Sequence, residues 1–81
     1  MKNNIVLYGN DECSFCREAK GWLTEKNMPF TMKDTKELSN FNEFKGYNSP
    51  GIPLLIITDE NAQTEKKIIG FSKEKYTKEF I

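Results

Sequence analysis

The sequence predicts an α/β fold with a central four-stranded mixed sheet, in the element order β-α-β-α-β-β-α. Three observations lead to this fold class. Short apolar runs alternate along the chain with segments whose apolar residues recur at spacings of three and four, which is typical of strands alternating with helices. A strand, a helix and a second strand in succession imply a right-handed crossover and a parallel strand pair. Two late strands separated by a short turn add an antiparallel hairpin.

The first strand, the first helix and the second strand are predicted in the first 33 residues. Residues 5–8 are an apolar run that ends at Gly9, as a buried strand would. From position 13 to about position 26 the pattern is helical, and Asn27 before a proline is a plausible helix stop. Residues 30–33 alternate apolar and polar side chains, which indicates a half-buried strand.

A short second helix is predicted next. Asn40 with Glu43 three residues later resembles a capping box, which places the start of the helix near Asn40. Gly46 is expected to end it. Three apolar side chains at helical spacing are expected to form its inward face: Leu38, Phe41 and Phe44.

The predicted hairpin follows. Residues 50–53 contain two prolines and a glycine and are expected to form a rigid turn. Residues 54–57 are a continuous apolar run with the character of a central strand. Residues 58–62 are predicted as a turn, and residues 65–69 as the strand that returns alongside.

A last helix is predicted after Gly70, with Ser72 as its cap and with Tyr76 and Phe80 one turn apart. The sequence contains no repeats, linkers or low-complexity segments. We therefore expect residues 1–81 to form a single domain, and we expect it to be a monomer.

The charge balance and hydropathy of the chain argue against several partners. Twelve basic residues balance twelve acidic ones, for a net charge of +0, and no basic block is present. Nucleic acid is therefore an unfavourable partner, because binding to phosphates needs an excess of positive charge. The apolar run near the amino terminus is too short for a signal peptide, and no run is long enough to span a bilayer. We expect a cytoplasmic protein without a membrane partner.

Cys13 and Cys16 are the only cysteines, and they indicate redox chemistry. Residues three apart on a helix face have Cβ atoms about 5–6 Å apart, close enough for a disulfide with modest adjustment. The unpaired N–H groups and the dipole at a helix start stabilise a thiolate there, and Cys13 gains most because it comes first. Cys13 is therefore the predicted nucleophile, and Cys16 is predicted to resolve the mixed disulfide. The positive charge of Arg17 would further stabilise a thiolate at Cys13, whereas the carboxylate of Glu12 would oppose it.

Two other interpretations of the cysteine pair were weighed against redox chemistry. Free cysteines are often ordinary core residues, but this pair is surrounded by polar and charged residues at a loop-to-helix junction. A zinc site needs four ligands, whereas the chain has two cysteines and no histidine. No metal ligands are therefore assigned, although a cluster shared between two chains stays open as an alternative.

The chain resembles the thioredoxin superfamily. In its length and its local sequence motifs it is most similar to the glutaredoxins. The likeness covers nearly the whole chain and implies a three-layer, thioredoxin-like fold of glutaredoxin type. It also implies that Pro53 is cis and that the backbone of Ile52 binds an extended thiol substrate. The matching segments are Val6-Leu7-Tyr8, Cys13-Ser14-Phe15-Cys16, Ala19-Lys20 with Leu23, Gly46-Tyr47 and Ile52-Pro53.

The segment Gly70-Phe71-Ser72-Lys73 departs from the family pattern. Glutaredoxins that bind glutathione usually have a Gly-Gly pair here, followed by an Asp for the glutathione amino group. Gly-Phe is more similar to the NrdH-redoxins, which pass electrons to ribonucleotide reductase and are recharged by thioredoxin reductase. By this resemblance Gly70, Phe71 and Ser72 join the candidate substrate-binding residues.

Two further aromatic residues are candidates for substrate binding. Phe15, between the cysteines, is expected to form an apolar docking surface with Phe71. Tyr8 could reach the site from the end of the first strand, or it could be a core tyrosine with its hydroxyl at the surface. The residues alone favour neither role for Tyr8.

The resemblance and the cysteine pair together predict a dithiol glutaredoxin-like thiol–disulfide oxidoreductase, acting in electron transport and cell redox homeostasis. Its expected substrates are protein disulfides or mixed disulfides with glutathione. No bound cofactor is needed, and the electron source is expected to be glutathione or a thioredoxin reductase, which is a flavoprotein. One alternative is an NrdH-type electron donor recharged by thioredoxin reductase. Another is a non-catalytic module that binds a metal or an iron–sulfur cluster.

Overall fold

The computed structural model describes residues 3–59 and 62–80, which form one mixed sheet and three helices. The element order is the predicted one. The elements are β1 (Asn3–Gly9), α1 (Ser14–Glu25), β2 (Thr31–Asp34), α2 (Leu38–Gly46), β3 (Leu54–Asp59), β4 (Thr64–Ile69) and α3 (Lys73–Phe80).

The four strands lie in the order β2-β1-β3-β4. β1 pairs parallel with β2, as the crossover through α1 requires. β1 and β3 pair antiparallel, and so do β3 and β4. The predicted fold class, a four-stranded mixed sheet with a terminal hairpin, is confirmed.

The sheet separates two apolar clusters, because successive side chains of a strand point to opposite faces. Ile5 and Leu7 of β1 pack on one face with Trp22 of α1 and Tyr76 of α3. Tyr8 packs on the other face, in a smaller cluster under α2. The chain therefore has three layers, with two helices on one face of the sheet and one on the other.

α1 ends as its sequence predicts. Asn27 adopts a left-handed conformation, with a φ of 57°, just after the last turn. The backbone N–H of Asn27 bonds the carbonyl of Thr24 at 3.1 Å, and that of Met28 bonds the carbonyl of Leu23 at 3.0 Å. This pair of bonds satisfies carbonyls that have no partner within the helix, and it turns the chain towards β2.

The prediction for α2 was partly wrong. The helix ends at Gly46 as predicted, but it begins before Asn40, after Glu37, whose side chain makes no cap bond. Asn40 lies inside the helix and donates to the carbonyl of Asp34 at 3.1 Å, so it does not form a capping box. Of the predicted inward face only Phe44 is buried, whereas Leu38 is 73% and Phe41 40% exposed. The helix is short and buries only its C-terminal part against the sheet.

The remaining boundaries differ from the predictions by one or two residues. β2 begins at Thr31, one residue later than predicted, and it includes Asp34. β3 continues to Asp59, and β4 already begins at Thr64, because the two strands pair through to their ends. Residues 60 and 61 of the predicted turn lie outside the described residues. None of the helices in residues 3–59 and 62–80 has the length and apolar character needed to cross a bilayer.

Leu55 and Leu38 provide a matched test of the core. Leu55 is fully buried between β1 and the helices, so Leu55→Ala is expected to lower the free energy of unfolding by about 2–5 kcal/mol. Leu38 is exposed, so Leu38→Ala should change it by no more than about 0.5 kcal/mol. Urea unfolding followed by circular dichroism measures both. Equal losses in the two variants would contradict the described core.

Candidate functional site

Cys13 and Cys16 lie at the start of α1, and their geometry is that of a helix cap. Cys13 is the N-cap residue, with extended backbone angles, and its Sγ accepts the backbone N–H of Cys16 at 3.3 Å. The backbone N–H of Cys13 bonds the carbonyl of Asn10 at 3.3 Å, which closes the loop before the helix. Both cysteines are free thiols. The Cys13 sulfur therefore occupies the position where a helix stabilises negative charge.

The two thiols differ in their access to solvent. Cys13 is partly exposed, whereas Cys16 is fully buried. Burial raises the pKa of the Cys16 thiol to about 12, and the hydrogen bond with Cys13 acts in the same direction. A backbone hydrogen bond from Asn10 acts against both. An incoming disulfide can therefore reach Cys13 first, while Cys16 stays protonated behind it.

The pairing of the strands brings three loops to one end of the sheet. Tyr8 pairs with Leu54, and Leu54 pairs with Ile69. The loop that leads from β1 to Cys13 therefore lies beside the start of β3, and the end of β4 lies on the other side of β3. These loops and the first turn of α1 hold the candidate residues Cys13, Phe15, Cys16, Ile52, Pro53, Gly70, Phe71 and Ser72.

The Ile52–Pro53 peptide bond is cis, as the resemblance implied. Pro53 is buried, and its carbonyl accepts the backbone N–H of Gly70 at 2.8 Å. Gly70 has a φ of 78°, a conformation that favours glycine. Ile52 is half-buried against the α2-side cluster. These three candidate residues are thus held together directly, although their role in binding substrate stays a prediction.

Phe71 and Ser72 connect the site to α3. Phe71 is half-buried and meets the ring of Tyr76 edge-on, with the ring centroids 4.9 Å apart. The hydroxyl of Ser72 accepts the backbone N–H of Lys75 at 3.5 Å, so the predicted cap of α3 is confirmed. Phe15 in contrast is 57% exposed beside the thiols. Of the two rings expected to form an apolar docking surface, Phe15 is thus exposed and Phe71 is half-buried against Tyr76, and the docking surface itself stays a prediction.

Tyr8 does not point towards the cysteine pair. Its neighbour Gly9 faces Cys16, and successive side chains of a strand alternate between faces. Tyr8 therefore lies on the α2 face, where it is buried and donates its hydroxyl proton to Glu43 Oε1 at 3.0 Å. The same oxygen accepts Lys33 Nζ at 2.7 Å. Burial, followed by the bond to Glu43, raises the pKa of Tyr8 above its usual range. Of the two roles considered for Tyr8, the geometry favours the core tyrosine.

One of the charges next to Cys13 belongs to an ion pair. Lys36 Nζ contacts Glu12 Oε1 at 2.7 Å, so the carboxylate that directly precedes Cys13 has a cation beside it. Hydrogen bonding to Glu12 raises the pKa of Lys36, which keeps the amine charged. Arg17 donates to the carbonyl of Asp11 at 2.6 Å and braces the same loop. The expected opposition of Glu12 to the Cys13 thiolate is therefore offset by Lys36.

Lys36→Gln tests this offset. Removing the cation leaves the Glu12 carboxylate unpaired, so the rate of Cys13 alkylation by iodoacetamide near neutral pH should fall roughly twofold to threefold at low salt. Glu12→Gln should raise the same rate, and the double variant should return close to the native value. The difference in alkylation rate between the native protein and each single variant should shrink as salt is added, because the side chains of Lys36 and Glu12 are exposed. A rate that is indifferent to Lys36 at low salt would show that the pair does not influence the thiol.

Three residues near the thiols were missed in the sequence. Gly9 was interpreted only as a strand end, but it is buried against Cys16. Lys36 is distant from the cysteines along the chain, so no local motif connected it to Glu12. Tyr76 was expected only as an apolar helix residue, yet its buried hydroxyl has no hydrogen-bond partner among the described residues. A glycine that directly ends a buried strand before a CxxC is the one signal that could have been used.

The described residues show no group of three or more His, Cys, Asp or Glu side chains that could hold a metal ion within one chain. The two cysteines are the only thiols of the sequence. A metal ion or cluster bound within one chain would therefore lack ligands. The alternative of a module that binds a metal or an iron–sulfur cluster would require a cluster shared between two chains.

Comparison with solved structures finds the same fold in thioredoxin-like proteins and glutaredoxins. The thioredoxin-like protein BC3987 superimposes with a TM-score of 0.73 and 23% identity, over 93% of this chain and 97% of that one. A glutaredoxin from Archaeoglobus fulgidus gives a TM-score of 0.74 and 16% identity, over 93% and 83%. Glutaredoxin 1 from Francisella tularensis gives 0.66 and 20%, over 96% and 94%. The fold is therefore thioredoxin-like, of the glutaredoxin type.

Sequence comparison finds only short matches. N-acetyl-S-hydroxy-L-cysteine reductase of Bacillus subtilis is 44% identical over 34 residues, which are 42% of this chain and 37% of that protein. Global transcriptional regulator Spx 1 of Oceanobacillus iheyensis is 43% identical over 30 residues, 37% of this chain and 23% of that protein. The match thus spans well under half of either relative. No protein-family model matches the chain.

Proposed function

We propose that this thioredoxin-fold chain is a dithiol oxidoreductase of glutaredoxin type, which reduces disulfides through Cys13 and Cys16. The observation that carries the proposal is the asymmetry of the two thiols. Partly exposed Cys13 caps α1, and fully buried Cys16 lies one turn behind it and donates its backbone N–H to Cys13 Sγ at 3.3 Å. This arrangement suits sequential attack by two thiols.

The proposed reaction has two exchanges. The Cys13 thiolate attacks one sulfur of the substrate disulfide; a bond forms between Cys13 and that sulfur, and the other sulfur leaves as a thiolate. Cys16 then loses its proton to solvent and attacks Cys13, which releases the second substrate thiolate and leaves a Cys13–Cys16 disulfide. Two electrons pass to the substrate, and an external reductant must restore the dithiol.

The comparisons support thiol redox chemistry in general terms. The fold is shared with glutaredoxins, and one partial relative is named as a reductase of an S-hydroxylated cysteine derivative. The fold is a scaffold for several activities, so the thiol pair itself carries the specific proposal. We propose a protein disulfide or a glutathione mixed disulfide as the substrate. We also propose a monomer in the cytoplasm, where thiols are kept reduced.

The electron source is proposed to be either glutathione or a flavoprotein thioredoxin reductase. Phe71 and Lys73 occupy the places where glutathione-binding relatives were expected to carry Gly and Asp. Phe71 is half-buried and packs on Tyr76 of α3. This packing favours the flavoprotein reductase, because a bulky ring and a cation replace the small residue and the carboxylate expected to receive glutathione.

A coupled assay tests the proposed function. NADPH oxidation is followed with a protein disulfide as substrate, in one series with glutathione reductase and glutathione, and in the other with thioredoxin reductase. One of the two series should sustain turnover, and the packing of Phe71 predicts that it is the series with thioredoxin reductase. Phe71→Gly should shift activity towards the glutathione series if the ring blocks that site. Turnover in neither series, with reduced and folded protein, would refute the oxidoreductase.

A further inference from the structure

Gly9 lies so close to the Cys16 thiol that no side chain would fit at position 9. It is buried at the end of β1, and a Cβ atom built on it would be 2.6 Å from Cys16 Sγ and 3.1 Å from Cys16 Cβ. Both distances are shorter than van der Waals contact between the atoms concerned. The absence of a side chain at position 9 is therefore what makes room for the Cys16 sulfur.

Neither backbone can easily move away. The carbonyl of Gly9 accepts the backbone N–H of Thr35 at 2.9 Å, and Gly9 pairs with Asp34 in the parallel ladder. Cys16 belongs to the first turn of α1, and the same helix buries Ala19 and Leu23 against the sheet. The steric clash of a side chain at position 9 would therefore be relieved mainly by rotation of the Cys16 side chain, which moves its sulfur out of place.

The chain segment after Gly9 also lies beside the cysteine pair. A backbone hydrogen bond from Asn10 lowers the pKa of the Cys16 thiol, against the larger effect of burial, which raises it. The same Asn10 accepts the backbone N–H of Cys13 through its carbonyl. The Gly9–Asn10 backbone is thus in contact with both cysteines of the pair.

We propose that the Gly9–Asn10 backbone is a positioning element for the resolving step, which holds Cys16 Sγ in place for attack on Cys13 Sγ. This inference rests on the proposed function. In the step concerned, Cys16 gives its proton to solvent and its thiolate attacks the Cys13 sulfur of a mixed disulfide. The bond between Cys13 and the substrate breaks, the substrate leaves as a thiolate, and the Cys13–Cys16 bond forms. Gly9 acts only through Cys16, because it carries no side chain.

The test separates the two exchanges in time. Reduced protein is mixed with a stoichiometric amount of 5,5′-dithiobis(2-nitrobenzoate), and release of the coloured thiolate is followed by stopped flow. The first phase reports attack by Cys13, and the second reports resolution by Cys16. Gly9→Ala should slow the second phase roughly tenfold to a hundredfold, the effect of misplacing a reacting atom, and should leave the first within about twofold.

Gly21→Ala is the matched control. A Cβ at Gly21 would meet no atom within 4 Å, and the residue lies mid-helix in α1, so both phases should keep their native rates. A second phase in Gly9→Ala within about twofold of native would overturn the inference and leave the proposed function untouched. Absence of a second phase in the native protein would instead refute the dithiol mechanism itself.

A second variant keeps the inference testable if Gly9→Ala does not fold. Gly9→Ala/Cys16→Ala removes the sulfur that a Cβ at position 9 would approach to 2.6 Å, and Cys16→Ala alone is its control. The double variant should fold where Gly9→Ala alone does not, because the crowded sulfur is gone. A double variant that is unfolded while Cys16→Ala is folded would overturn the inference, since the effect of position 9 would then not act through the sulfur.

Discussion

Cys13→Ser is expected to abolish disulfide reduction. A serine hydroxyl is not ionised near neutral pH and does not attack disulfides, so the first exchange has no nucleophile. The fold should persist, because serine is a favoured N-cap residue and can accept the backbone N–H that Cys13 Sγ accepts now. The coupled NADPH assay should fall to the rate without protein, whereas the free energy of unfolding should stay within about 1 kcal/mol of native.

Ser14→Ala is the matched control for this experiment. Ser14 is exposed beside Cys13 and its loss should leave turnover nearly native. Substantial turnover by folded Cys13→Ser would contradict the assignment of the nucleophile. Loss of turnover together with loss of helical circular dichroism would mean that the variant reports folding, and Cys13→Ala would then replace it.

Cys16→Ser is expected to stop the reaction halfway. With Cys13 intact, the first exchange should proceed and leave a mixed disulfide that nothing in the chain resolves. Reduction of protein disulfides should therefore be lost, whereas removal of glutathione from a mixed disulfide can continue with Cys13 alone. After treatment with oxidised glutathione, intact mass should show a stable glutathione adduct, which peptide mapping should place on Cys13. The native chain should instead pass on to the Cys13–Cys16 disulfide.

Cys16→Ala should accompany this variant, because Cys16 is fully buried and serine would place a hydroxyl there. An unpaired buried hydroxyl costs about 1–3 kcal/mol, whereas alanine removes the thiol without adding a polar atom. Agreement between the two variants would attribute the trapped adduct to the missing thiol. If either folded variant reduced protein disulfides at the native rate, resolution by Cys16 would be contradicted.

The fold was largely predictable because most of its elements have local signatures. The apolar runs of β1 and β3 and the stop of α1 at Asn27 are properties of short segments. α2 was less predictable, since apolar residues at helical spacing do not reveal which of them the sheet covers. Leu38 and Phe41 fit the inward pattern, but only Phe44 reaches the apolar cluster beneath the helix.

The candidate site likewise has features that the sequence predicts and features that it does not. The spacing of Cys13 and Cys16 and the helix start are local, so the placement of both cysteines at the start of α1 could be predicted from the sequence. The contact of Gly9 with Cys16 depends on how α1 packs against β1, and the pairing of Glu12 with Lys36 depends on β1 and β2 lying side by side. No local motif specifies either arrangement. The side of Tyr8 follows from strand alternation once Gly9 is known to face Cys16.

Redox titration of the two thiols is the most direct test of the account. The protein is equilibrated in dithiothreitol buffers of graded potential, quenched with acid, alkylated and analysed by intact mass and peptide mapping. The account predicts a single two-electron transition, from a form with both cysteines alkylated to a form in which Cys13 and Cys16 are joined and neither is alkylated. Two alkylated cysteines throughout the range in which thioredoxin-fold pairs oxidise would contradict it.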